Sequence, residues 1–216
     1  MRNKTYLIVF LSISFLISAI TAQNLFNISS KKLEAVTEKY GEKAASRVKY
    51  WDKIIETSKD KDILHKLKNV NDFFNKIKYS RDNLHWGKND YWASPFEFLG
   101  TGAGDCEDYA IAKYFTLRQL GVPDEKLRIT YVKLKQRGTK YEQAHMVLTY
   151  YHKPTSTPIV LDNVNKRLKL ASKRPDLTPI YSFNANGLWQ AKNKGRSSVK
   201  VGKNNLKNWK SMMSRI

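Results

Sequence analysis

The sequence predicts an α+β domain in which an N-terminal helical hairpin packs with one buried helix and an antiparallel sheet. Three observations predict it. Apolar residues recur at helical spacing early in the chain, a helix that reads as nearly all buried follows a glycine-marked loop, and runs of strand character come after that helix.

The chain opens with MRNKTYLIVFLSISFLISAITAQ, which has a basic start at Arg2 and Lys4 and an apolar run from Tyr6 to about Ile20. Small residues near Ala22 complete the pattern of a secretory signal peptide, residues 1–22. A retained membrane anchor is the alternative, but the run is shorter than the ~20 residues of a span and serines interrupt it. No other segment is apolar enough to cross a bilayer, so the mature chain is expected to be exported, with no stable membrane insertion. Residues 23–216 suit one domain, with a helical part over 23–88, a core over 89–190 and a basic C-terminal segment over 191–216.

Leu33, Val36, Tyr40, Ala44, Val48, Trp51 and Ile55 define one amphipathic helical stretch, and Ile63, Leu67, Val70, Phe74 and Ile77 a second. From Asn89 to Gly104 the pattern breaks, and Pro95, Gly100, Gly102 and Gly104 mark a loop. Asp105 then offers an N-cap, and CEDYAIAKYFTLRQLG reads as a buried helix that stops at Gly121. Strand character follows over residues 127–135, 144–152, 158–164 and 179–184. Gly138 and the KPTSTP stretch separate the first three, so antiparallel hairpins are the economical connection.

The formal charge is +20, and loss of Arg2 and Lys4 with the leader leaves +18. Such an excess favours an acidic protein, an anionic polysaccharide or lipid headgroups, or is simply a solvated lysine-rich surface. No nucleic-acid reading motif accompanies it, and export argues against that partner. The last 26 residues carry eight Lys or Arg and no acid, with Leu206, Trp209, Met213 and Ile216 at helical spacing. That face suits either a membrane surface or docking on the core.

The single cysteine, Cys106, stands among Asp105, Glu107 and Asp108. A lone thiol in an oxidising compartment has no intramolecular disulfide partner, so it is either buried filler or a working group. A helix N-terminus favours a thiolate, and three carboxylates oppose it. Glycines ahead of a helix also resemble a phosphate cradle, but GTGAGD lacks the lysine of a P-loop and places an aspartate where the anion would sit. If the second and third strands pair about a turn near Lys153 and Pro154, residues whose numbers sum to about 307 face each other, which sets His145 beside Asp162. A thiol, an imidazole to take its proton and a carboxylate to hold the ring are what nucleophilic catalysis requires. His65, His85 and His152 show no zinc-ligand spacing, and HExxH is absent.

The stretches YWASPFEFLGTGAGDCEDYAIAKYFTLRQLGVP, LRITYVK, HMVLTYY, LDN and DLTPIYSFNANGLW closely resemble the LapG family of bacterial transglutaminase-like cysteine proteinases. The resemblance runs from about Trp86 to Trp189 and implies a papain-like, transglutaminase-like core with a triad of Cys106, His145 and Asp162. It implies a periplasmic protease that cuts the N-terminal region of a large repeat adhesin next to paired alanines, releases it from the outer membrane and so promotes biofilm dispersal. It further implies restraint by the periplasmic domain of an inner-membrane cyclic-di-GMP receptor. Calcium is expected beside the nucleophile on Asp105 and Glu107, with Asp108 a third ligand and a further contribution from the strands around Tyr131. That cation would neutralise the carboxylates around the thiol. Asp108 can equally be a helix cap. The oxyanion hole is expected to use the Cys106 backbone N–H and a donor near Trp92, a residue that suits packing as well. A true transglutaminase and a non-catalytic calcium-binding module remain the alternatives.

Overall fold

The computed structural model describes residues 28–136, 138–192 and 197–216, so the expected signal peptide lies outside the described residues. The N-terminal hairpin becomes three helices. Gly41, at φ 82° in the left-handed region that favours glycine, divides the first periodic stretch into α1 (Ser30–Tyr40) and α2 (Glu42–Ser58). The apolar spacing carries across this bend, which is why the sequence reads as one helix. Asp62 caps α3 (Ile63–Phe74) by accepting from the Leu64 and His65 N–H groups. Ile77, expected within that helix, lies beyond its end.

Between α3 and the central helix come β1 (Lys78–Tyr79), the single-turn α4 (Asp82–His85), α5 (Pro95–Thr101) and β2 (Ala103–Gly104). The region expected to be only a loop therefore holds a helix. Ser94 accepts from the Glu97 N–H at 3.3 Å, Glu97 accepts from the Ser94 N–H at 2.8 Å, and Pro95 occupies the first helical position. Phe98 and Leu99 are fully buried on this helix.

The central helix, α6 (Cys106–Gln119), is buried from Glu107 to Leu117. A helix covered on every side carries no amphipathic stripe, because α3, α5 and the sheet all pack against it. Trp51 on α2 donates from Nε1 to Thr116 Oγ1 at 2.9 Å, so even a polar atom of this helix is matched by a core tryptophan. Fully buried side chains such as Trp51, Phe74 and Leu117 each contribute about 1.5–3 kcal/mol relative to exposure.

The sheet has seven antiparallel strands in the order β6-β5-β4-β3-β7-β8-β9. These are β3 (Leu127–Lys135), β4 (Glu142–Tyr150), β5 (Ile159–Leu161), β6 (Lys169–Leu170), β7 (Leu177–Asn184), β8 (Gly187–Lys192) and β9 (Ser197–Gly202). β3 matches the expected span, whereas β8 and β9 were not expected. β4 and β5 pair Leu148 with Leu161 and Thr149 with Val160. Partner numbers thus sum to 309, two more than the expected 307. A shift of two preserves the face of every side chain, so the expected neighbours stay on one side of the sheet.

The last helix, α7 (Lys207–Met213), docks on the core. Trp209 stacks on Phe115 at 5.5 Å and Met212 is fully buried, while Leu206, Met213 and Ile216 pack against the same cluster. Its apolar face is therefore occupied by the domain. No helix among the described residues is long and apolar enough to cross a membrane.

Candidate active site

Cys106 opens α6 at the wall of a cleft of about 1080 Å³, whose lining also includes Asp82, Asp90, Asp105, Glu107, His145 and Tyr131. β2 runs directly into this helix, and Gly104 lets it do so. A Cβ there would collide with the Asp108 carboxylate and the Phe98 ring. The thiol donates to Glu107 Oε2 at 3.1 Å, and the Met146 backbone N–H on β4 points at the sulfur. Burial first, then the Glu107 and Asp105 charges, push the thiol well above its usual range, and the Met146 N–H opposes them.

Opposite this helix start, His145 Nε2 lies 2.8 Å from Asp162 Oδ1, with both side chains almost fully buried. Asp162 follows the last residue of β5, leaves the ladder and reaches His145 across the diagonal of the strand pair. The carboxylate is surrounded by donors. Val164 N–H reaches Oδ1 at 2.9 Å and Arg174 reaches Oδ2 at 2.8 Å, while Asn75 Nδ2 holds the Asp162 carbonyl at 2.9 Å. Burial alone would raise the Asp162 pKa, but the His145 hydrogen bond and charge, the Val164 N–H and Arg174 together hold it well below the usual carboxylate range. Engaging Nε2 leaves Nδ1 as the nitrogen able to serve the thiol.

The acidic side of the cleft is the reverse case. Asp105 and Glu107 are both pushed above the ordinary carboxylate range by burial first; the Glu107 charge adds to the rise at Asp105, whereas hydrogen bonds from Asp105 and Cys106 oppose it at Glu107 and the Asp108 charge adds to it. Asp82, Asp90 and Glu107 bring ligand oxygens within 4.8 Å of one another, as do Asp82, Asp105 and Asp108. Asp82 Oδ1 and Asp105 Oδ1 are buried with no hydrogen-bond partner. Two adjacent groups of carboxylates that share Asp82, with two oxygens lacking a hydrogen-bond partner, fit a hard cation that takes oxygen ligands. Asp108 is also a cap: Oδ1 accepts from the Ala93 N–H at 2.7 Å and Oδ2 from the Asp105 N–H at 3.2 Å.

The structure thus brings Cys106 and His145 to one cleft, places Asp162 behind His145, and sets Asp105 and Glu107 beside the thiol. Asp82, Asp90 and Arg174 were missed. Asp82 opens the short α4 and Asp90 lies in the loop after it, both distant in sequence from the GDCED stretch, and nothing local distinguishes them from surface acids. Trp92 packs: its ring stacks on Phe183 at 5.4 Å and its Nε1 donates to Asp90. Tyr131 stacks on Tyr181 at 5.1 Å along the cleft.

A helix-borne thiol and a strand-borne imidazole lining one cleft, with a carboxylate behind the ring, fit the residue types that cysteine hydrolases use. The family model for bacterial transglutaminase-like cysteine proteinases matches residues 38–191, and the chain belongs to that family. Solved structures of LapG from Legionella pneumophila are similar throughout. An EGTA-treated form is 42% identical with a TM-score of 0.74, covering 87% of this chain and 97% of its own. A calcium-bound form is 42% identical with a TM-score of 0.72, covering 87% of this chain and 99% of its own. No curated protein matches the chain.

Proposed function

We propose that this protein is a calcium-dependent cysteine endopeptidase of the periplasm that cuts the N-terminal region of a large repeat adhesin. Release of the adhesin would promote biofilm dispersal, under restraint by the periplasmic domain of a cyclic-di-GMP receptor. The observation that carries the reading is the convergence of Cys106 and His145 in one cleft, with Asp162 behind His145, in a chain from this proteinase family.

In this reading His145 takes the Cys106 proton through Nδ1, and the sulfur attacks the scissile carbonyl. Asp162, itself fixed by Arg174, keeps the ring in the tautomer that leaves Nδ1 free to accept. His145 then returns the proton to the leaving amine, and water hydrolyses the thioester. The Cys106 backbone N–H, unpaired as a first-turn helix donor, faces the developing oxyanion. Asp105 and Glu107 would hold calcium with Asp82 and Asp90, and Asp108 combines capping with any ligand role. Bound there, the cation supplies compensation for the carboxylate charge next to the thiol. The calcium-bound form of the Legionella relative supports the choice of ion.

The test is incubation of the mature protein with an adhesin N-terminal fragment containing paired alanines. Two fragments are expected, with Cys106→Ala folded and inactive. Cleavage by Cys106→Ala would end the reading, and isopeptide-linked products would make the protein a transglutaminase.

A further inference from the structure

Lys113 is a cation with no exposed surface, on the same helix as the nucleophile and two turns beyond it. Its Nζ donates to Asn71 Oδ1 at 2.9 Å and to Asn75 Oδ1 at 2.8 Å. Each carboxamide then donates onward: Asn71 Nδ2 to the Lys166 carbonyl at 2.8 Å, and Asn75 Nδ2 to the Asp162 carbonyl at 2.9 Å. Lys166 Nζ closes the circuit on the Asn75 carbonyl at 3.0 Å. None of the catalytic steps uses this amine, and burying it is costly unless its donors are placed.

We propose that Lys113 is a positioning residue, which acts through Asn75 to fix the main chain of Asp162 and hence the aim of that carboxylate at His145 Nε2. The proposal rests on the catalytic reading of Cys106, His145 and Asp162. A carboxamide is nearly symmetric in shape, so packing alone does not choose between its oxygen and its nitrogen. An ammonium group is a donor only, and it forces Oδ1 of both asparagines towards itself. Nδ2 of Asn75 must then face the Asp162 carbonyl. Turned over, Asn75 would set oxygen against oxygen and push the Asp162 turn away. Because Cys106 and Lys113 share α6, the helix that presents the sulfur also sets the position of the acid serving the imidazole.

The experiment uses the calcium-loaded mature protein and needs no substrate, so an error in the adhesin assignment leaves it intact. Two quantities are read: the downfield ring N–H proton resonance of His145, assigned with His145→Gln, and the rate of Cys106 alkylation by iodoacetamide. Lys113→Met keeps the stem and removes the donors. It is expected to lose the resonance and to slow alkylation by about 10- to 100-fold, the scale of an ångström-level misplacement. Asn75→Asp keeps an acceptor for Lys113 but loses the donor to Asp162, and is expected to behave likewise. Asn71→Asp makes the same chemical change one turn away, where the link to Asp162 is absent, and is expected to leave both quantities near wild type. A folded Lys113→Met with the wild-type resonance and rate overturns the proposal. So do equal effects of the two asparagine variants, which would mean only a structural role; this pair decides the matter if Lys113→Met does not fold. A wild type lacking the resonance would remove the His145–Asp162 pair and the proposal with it.

Discussion

The two walls of the cleft are finished to different degrees. On the sheet side every oxygen of Asp162 has a donor, and the His145–Asp162–Arg174 chain is buried with opposite charges paired, although Arg174 Nη1 keeps no hydrogen-bond partner. On the helix side Asp82 and Asp105 each keep a buried oxygen with no partner, and burial raises the pKa of Asp105 and Glu107, with the Glu107 charge adding to the rise at Asp105. One wall is organised by the fold alone, while the other gathers negative charge that the polypeptide does not offset. In the proposed reading, the His145–Asp162 pair is held in place by the fold itself, whereas the acidic surroundings of Cys106 would need a cation to offset them.

The largest effect should come from the permanent wall. His145→Ala should abolish adhesin cleavage, and Asp162→Asn should lower kcat by on the order of 10⁴-fold, because an amide favours the wrong tautomer of the ring. Cleavage rates of the two variants check this. Full activity of Asp162→Asn would place the orienting role elsewhere.

The conditional wall should fail in a different way. A calcium chelator should stop cleavage by the wild type, and added calcium should restore it. Calcium at about 100 times its Kd should also raise the unfolding free energy by about 2.7 kcal/mol, visible as a higher Tm. The double variant Asp105→Ala, Glu107→Ala should be folded, indifferent to calcium and slower by about 100-fold or more. It loses two charges that oppose a thiolate, yet it also loses the ligands that would fix the loop presenting Cys106. Normal cleavage by this variant in chelator would return Asp105 and Glu107 to ordinary roles at a helix start.

These two walls were unequally legible. Cys106, His145 and Asp162 could be read because a lone cysteine, a sharp helix boundary and strand arithmetic each left a local mark, and a register error of two residues keeps the same face. Asp82 and Asp90 could not, since their approach to Glu107 depends on how the loops after β1 and α4 fold back. Arg174 sits in a charged turn, SKRPD, that looks like surface, and only the fold buries it against Asp162. The helix α5 was legible in principle: Ser94-Pro95-Phe96-Glu97 is a capping box with proline in its favoured place, hidden by the glycines that follow. The strands β8 and β9 were hidden because neither GLWQAK nor SSVKVG holds a sustained run of β-branched and aromatic residues.

Arg174, on the sheet wall, can be probed through stability instead of rate. Arg174→Met leaves a buried Asp162 carboxylate without its cation, and removal of one partner from such a pair costs about 3–5 kcal/mol. A Tm lower by roughly 10 °C is the expected reading for a chain of this size. The folded-state pKa of Asp162 is depressed, so the stability it contributes is complete above the unfolded value of about 3.9 and declines as pH falls below it. The gap between variant and wild type should therefore narrow in acid. A gap that is constant down to pH 2 would mean Arg174 acts through packing.

A separate effect concerns Lys113, where burial lowers the pKa from 10.5 to about 7 against the opposing pull of the Asp162 charge. The unfolded chain keeps the proton up to its higher pKa, so between these values it binds more protons than the folded one, and this residue makes stability rise with pH across that window. At pH 7 and below the penalty for burying the charged amine is nearly complete; by about 10.5 it is gone. Relative to Lys113→Met, which does not titrate, the wild type should gain stability on going from pH 7 to pH 10, by no more than about 1.4 kcal/mol per pH unit. Urea unfolding of both proteins across that range checks it. A difference independent of pH would show that the Lys113 amine, through Asn71 and Asn75, keeps its proton as firmly inside the fold as outside, and would move this group from the conditional features of the molecule to the permanent ones.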